Sequence, residues 1–139
     1  MREILFKAKR KDDGKWIEGY YTESRGETFI GIDTSIMFEI FCPPVIRWFK
    51  VSPETLCQFT GLCDKNGKKI WENDILMAHL DKSYPEDVTY ETVEWNVAGW
   101  VTHETDSTDR RYLDKFDLEH FEVVGNIFDN KELLQEEHK

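Results

Sequence analysis

Ile4, Phe6 and Ala8 interleave with Leu5, Lys7 and Lys9, a period of two that belongs to a strand with one buried face. Asp12-Asp13-Gly14 supplies a turn, and Trp16-Ile17-Glu18-Gly19-Tyr20-Tyr21 resumes as a strand, so the opening predicts a hairpin. A third strand is expected over 28–32, between Arg25-Gly26 and Asp33-Thr34-Ser35. The run 36–41 is apolar except for Glu39 and is stopped by Pro43-Pro44. Residues 45–51 are again strand-like, with Trp48 and Phe49 on opposite faces, and Pro53 marks the next break. Nothing in this half has helical period over a useful length.

Residues 55–77 are the densest in turn signals. Two short β-type runs flank Asp64-Lys65-Asn66-Gly67, and Asn-Gly is the strongest short-range hairpin signal. A second tight turn, Glu72-Asn73-Asp74, follows after one short strand. Beyond it, 75–80 predicts a buried strand and 81–87, with Pro85, a polar loop. Over 88–97, Thr89, Glu91, Val93 and Trp95 fall on one face and Val88, Tyr90, Thr92 and Glu94 on the other. Gly99 permits a turn into 100–103, and 104–111 reads as a mobile loop or hairpin tip. Residues 121–128 form a strong strand pattern. Asp129 with Glu132 then resembles a capping box opening a short helix from Asn130 to about Glu137, docked by Leu133 and Leu134.

About ten short strands and one terminal helix predict a mainly β fold, a small antiparallel barrel or roll. There is no Ser/Gly linker, low-complexity segment or internal repeat. A single domain is expected over 1–139, with a possible division into an N-terminal β lobe, 1–54, and a second lobe, 55–139. Nine Phe, five Trp and five Tyr supply ample core for 139 residues.

Charge changes the picture. Residues 1–56 are balanced, and the whole net charge of −10 lies in 57–139. A solvated acidic surface accounts for this; an acidic face for a basic partner, or a mimic of nucleic acid, is the sharper alternative. Direct DNA binding is disfavoured because no Lys/Arg stripe appears. The charged opening, Met1 to Lys7, does not form a secretory core, and no apolar run approaches the roughly 18 residues of a membrane span. With three cysteines, Cys42, Cys57 and Cys63, reduced thiols in a cytoplasmic protein are expected. Cys57 and Cys63 would stand about 20 Å apart along a strand, which argues against a disulfide between them.

Candidate chemistry thins out when spacings are counted. Five residues separate Gly61 from Gly67 where a phosphate loop has four, and Lys69 takes the hydroxyl position. A calcium loop starting at Asp64 would need Gly and Glu where Lys69 and Ile75 stand. His79, His103, His120 and His138 share no ligand spacing, and His79 is expected in the core. No nucleophile elbow occurs, although a Cys–His pair could form on folding. Glu72 with Asp74 reads as turn carboxylates, and Glu91 with Glu94 as a second acidic pair. Trp16, Tyr20, Trp48, Trp71, Trp95 and Trp100 could stack on bases, but the basic groove is missing and core packing is expected. No catalytic, cofactor-binding or metal-ligating residue is assigned.

The segment Gln58-Phe59-Thr60-Gly61-Leu62, Asp64-Lys65-Asn66-Gly67-Lys68 and Ile70-Trp71-Glu72-Asn73-Asp74-Ile75 resembles the YopX family of phage and prophage proteins. The family pattern there is Q-aromatic-T-G-L-x-D-K-N-G-K-x-I-aromatic-E-G-D-I. Phe6-Lys7-Ala8-Lys9 is similar to the family's opening strand, and Val51-Ser52-Pro53-Glu54-Thr55 to its V-x-P-E-T lead-in. The end, from Val123-Val124-Gly125-Asn126 to Leu133-Leu134, resembles V-I-G-N-I-Y-E-N-P-E-L-L. Two positions depart. Asn73 stands where Gly is usual, tolerable if the position is left-handed, and Lys131 stands where Pro is usual.

The resemblance implies a β-rich protein with an SH3-like barrel in the C-terminal part, encoded by bacterial mobile elements, and it carries over no activity. With no catalytic motif found, the expectation is a non-enzymatic interaction module acting on a host or phage protein. Homo-oligomers through exposed strand edges are conceivable. The rivals are a nucleic-acid-linked role, through weak single-strand binding or acidic mimicry, and a hydrolase whose site forms only on folding.

Overall fold

The computed structural model describes residues 3–33, 45–79, 88–105, 107–114 and 118–134. The apolar run 36–41 with Cys42 and Pro43-Pro44, the loop 81–87 and His138 lie outside the described residues. The chain divides into two compact units, Met1–Phe59 and Thr60–Lys139.

The first unit is built on β1 (Phe6–Lys9), β2 (Trp16–Ser24), β3 (Glu27–Asp33) and β4 (Ile46–Lys50). These are sequential antiparallel neighbours, and β1 also pairs with the start of β5 (Cys57–Cys63). Arg25 and Gly26, both at positive φ, close β2 onto β3 as a two-residue turn requires. Ala8, Ile17, Ile30 and Val51 form the core, with Phe6, Ile32, Phe49 and Leu56 against it. Beyond β4 the chain touches the end of β1 through one isolated bridge, Arg10 to Val51.

In the second unit β6 (Lys69–Trp71) is followed by β7 (Asp74–His79), β8 (Val88–Asn96), β9 (Gly99–Glu104), β10 (Arg111–Tyr112) and β11 (Phe121–Asn126). The last five make a sheet of order β10-β9-β8-β7-β11, in which the final strand returns beside the first of the meander. The other sheet has the order β4-β3-β2-β1-β5-β6, and neither is closed into a barrel by pairing of its outermost strands among the described residues. Ile70, Leu76, Ala78, Val93, Phe121 and Val123 make the second core.

Two expectations need correction. The turn between β8 and β9 is Val97-Ala98, not Gly99, which already belongs to β9. The helix expected from Asn130 to Glu137 is, within the described residues, a three-residue 3-10 turn, Lys131–Leu133. Asn130, not Asp129, is its N-cap, and it makes no side-chain cap. Its Oδ1 instead accepts the Asn126 amide at 3.1 Å, so the side chain that should have started a helix ties the turn back to β11. The segment 104–111 does form the tip between β9 and β10, with Asp106 outside the described residues.

Candidate functional site

Asp64 occupies the hairpin that dominates the sequence, and its carboxylate is fully committed to backbone. Oδ1 accepts the amides of Asn66 and Lys68 at 2.8 and 2.9 Å, and Oδ2 accepts that of Val123 at 2.9 Å. Burial pushes this carboxyl up, but the Val123, Lys68 and Asn66 amides and the Lys68 charge outweigh it and hold it below the ordinary range. The turn reading of Asp64 holds, and the carboxylate also anchors β11. Gly67 takes a positive φ of 81°, as an Asn-Gly turn demands.

The second turn behaves similarly. Asp74 is buried and accepts the Trp71 amide at 2.8 Å. Asn73 has φ 71°, the left-handed conformation that its replacement of Gly required. Its backbone donates to Val93 and accepts from Ile127, joining the turn to β8 and to the chain after β11.

The histidines and cysteines do not converge. No group of three His, Cys, Asp or Glu among the described residues could hold a metal ion. His79 ends β7, and the surroundings of its side chain lie outside the described residues. His120 is exposed. His103 touches the Thr92 hydroxyl at 3.0 Å and lies 3.6 Å from Glu94. Cys57 is buried, with its thiol donating to the Thr55 carbonyl, whereas Cys63 is exposed; both are free thiols.

The aromatics divide, and for three of them the core-packing expectation is overturned. Trp71 is buried, but Tyr20, Trp48 and Trp95 are 51%, 45% and 52% exposed. For Tyr20 and Trp48 the reason is register. Tyr20 pairs with Gly31 and Gly31 with Trp48, so the three share the face of the first sheet opposite Ile30 and Phe49. Gly31 is the floor of this face: a Cβ there would lie 2.7 Å from the Trp48 ring and 2.8 Å from Ile46. Trp16 stands on the same face of β2, with Lys7 and Lys9 ammonium groups 4.7 and 5.4 Å from its ring.

A polar cleft of about 220 Å³ opens in the second unit against β8, β9 and β10. Its floor is Glu91, only 7% exposed, whose Oε1 accepts the buried Thr102 hydroxyl at 2.9 Å. Glu104 lies directly opposite Glu91, and Arg111 opposite Thr102. His103, Asp109, Ser107 and Thr89 complete the lining. Glu91 and Glu94 do not form an acid/base pair, because three residues along a strand put them on opposite faces. Glu94 instead pairs with Arg110 on the other face.

Among the described residues no helix is long and apolar enough to cross a membrane. No curated protein matches the chain. A solved structure, that of protein EF1440 from Enterococcus faecalis, is similar with a TM-score of 0.57 and 24% identity, covering 97% of this chain and 100% of that one. The likeness extends to the fold. The family model described as YopX protein matches residues 5–135. With the match running from the first strand through the last described turn, the chain belongs to the YopX family.

Proposed function

We propose that the chain is a non-enzymatic interaction module, encoded by a phage or prophage and acting in the bacterial cytoplasm on a host or phage protein. The observation that carries this reading is the open aromatic face of the first unit. Tyr20 and Trp48 stand on either side of Gly31, with Ile46 beside them, all substantially exposed. Large rigid aromatics that fill no core and flank a glycine floor are the composition of an interface centre. The finer fold reading is an SH3-like arrangement of the C-terminal part, with the open antiparallel sheet in which β11 returns beside β7 as its support.

The test is affinity capture from the bacterial host with the wild type and with Tyr20→Ser/Trp48→Ser. Both side chains are exposed, so the double variant is expected to keep its melting temperature and lose the captured protein. Capture that is unchanged by the substitutions refutes this face as the interface. A second reading, weak binding of single-stranded nucleic acid, is favoured by Trp16 between Lys7 and Lys9. It predicts a gel shift that weakens steeply with salt and disappears in Trp16→Ala.

A further inference from the structure

We propose that β4 is a docking edge that takes an extended segment of the partner protein by strand addition, an apolar–acidic–apolar sequence paired antiparallel with Ile46, Arg47 and Trp48. This rests on the interaction-module reading and names how the open aromatic face is engaged. Backbone, side chains and charge each support it.

Among the described residues β4 is the outermost strand of its sheet. The Val51 amide donates to the Thr28 carbonyl of β3 at 3.0 Å, and residues of an antiparallel ladder alternate in the side they face. Phe49 and Arg47 therefore point their backbone groups at β3, and Lys50, Trp48 and Ile46 point theirs outward. The Lys50 carbonyl accepts the Lys11 amide at 3.0 Å, so the chain after β1 closes the edge at that end. Ile46 and Trp48 are left with two outward amides and two outward carbonyls that find no partner among the described residues. These four groups are the template for three residues of an added strand. β4 carries neither Pro nor a bulge against β3 that would blunt it.

The side chains follow the same alternation. Ile46 and Trp48, 41% and 45% exposed, lie on the open aromatic face, and Trp48 ends the row that runs from Tyr20 across Gly31. Apolar residues of an added strand would continue that face by one strand and cover both. Arg47 lies between them on the other face and is exposed. Its guanidinium stands 5.5 Å from the Phe49 ring and forms no ion pair among the described residues. On the outer edge Arg47 holds a non-hydrogen-bonded position, where the opposite side chain comes closest. A carboxylate there would complete an ion pair that the chain does not supply itself.

The same position argues against a second copy as the occupant. Two-fold self-pairing through the four open groups sets Ile46 against Trp48 and Arg47 against Arg47 of the other copy. Like charges directly opposite one another repel.

The test is an amide NMR titration of the full chain with a capped peptide of core Val-Glu-Val. Two control peptides change one feature each: Val-Lys-Val reverses the charge, and N-methylation of both valines removes the backbone donors. Saturable shifts centred on Ile46 and Trp48 are expected with Val-Glu-Val and none with the methylated peptide. Val-Lys-Val should bind about fivefold or more weakly. Arg47→Glu should reverse the preference between the two charged peptides. Ile46→Pro removes one outward N–H at the first residue of the strand, where Pro is tolerated, and should weaken Val-Glu-Val about fivefold. Either variant keeps the test valid if the other fails to fold.

No saturable shifts at these amides, shifts that survive N-methylation, or a charge preference untouched by Arg47→Glu overturn the docking edge. Shifts there that grow with protein concentration alone assign the edge to a second copy and overturn the acidic strand as occupant. Partner capture that persists in both Arg47→Glu and Ile46→Pro overturns strand addition while leaving the interaction module standing. Peptide binding as expected with no partner captured supports the edge and counts against the module.

Discussion

Replacing Asp64 by Asn tests whether the family's central turn is a structural device. The two side chains are nearly isosteric, so the change removes charge and one acceptor atom with little change in volume. In the better rotamer the amide oxygen keeps the Asn66 and Lys68 bonds, now neutral and weaker. The new NH2 then faces the Val123 amide, donor against donor, at the buried contact between the 64–67 turn and β11. An orphaned buried donor costs about 1–3 kcal/mol, and loss of charge assistance on two bonds adds about 1 kcal/mol. The expected destabilisation is about 2–4 kcal/mol near neutral pH, read by urea unfolding followed by circular dichroism. The Val123 amide should also exchange with solvent faster than its β11 neighbours.

The pH dependence has a fixed sign. The folded-state pKa of Asp64 lies below its unfolded value. Its contribution is therefore complete above the unfolded pKa of about 4 and is lost as pH falls through the lower folded value. The gap between wild type and Asp64→Asn should narrow on acidification across that window. A destabilisation below about 0.5 kcal/mol, or a gap that stays constant with pH, refutes the reasoning.

Three further outcomes follow from the turns. Asn73→Val should cost about 2 kcal/mol, because a β-branched residue is forced to φ 71°, whereas Asn73→Gly should stay within about 0.5 kcal/mol of wild type; chemical denaturation of both decides it. Val97, at φ 41° and 91% exposed, is a poor turn residue, so Val97→Gly should raise stability by about 0.5–1 kcal/mol and with it the melting temperature. Gly125→Ala would place a Cβ 2.4 Å from Asn130 Oδ1, displacing the side chain that accepts the Asn126 amide; a loss of about 1–2 kcal/mol in thermal unfolding is expected.

The strands were legible because period-two alternation and turn residues are local properties. The Asn-Gly turn and the opposite faces of Trp48 and Phe49 followed from neighbours in sequence, whereas a left-handed Asn73 was suggested only by the Gly usual there in the family pattern. Glu91 was half legible: the alternation placed it with Val93 and Trp95, but nothing local announced Thr102 as its donor or Glu104 as its opposite. The exposed aromatic face was not legible, since it depends on Gly31 meeting both Tyr20 and Trp48 through register. The terminal helix misled because a capping-box pattern does not reveal that Asn130 will bond backward to Asn126.

The bond from Val123 to Asp64 spans 59 residues. Closing a loop of that length costs roughly 3–4 kcal/mol of chain entropy, so this contact forms late and only once many others are in place. During synthesis the hairpin at 64–67 can form early, but its carboxylate keeps an empty acceptor until β11 emerges from the ribosome. Until then β7 also lacks one of its two neighbours and presents a bare apolar edge. Nascent chains stalled before Phe121 should therefore be the species that aggregates, and release of β11 the step that commits the second unit to its native state.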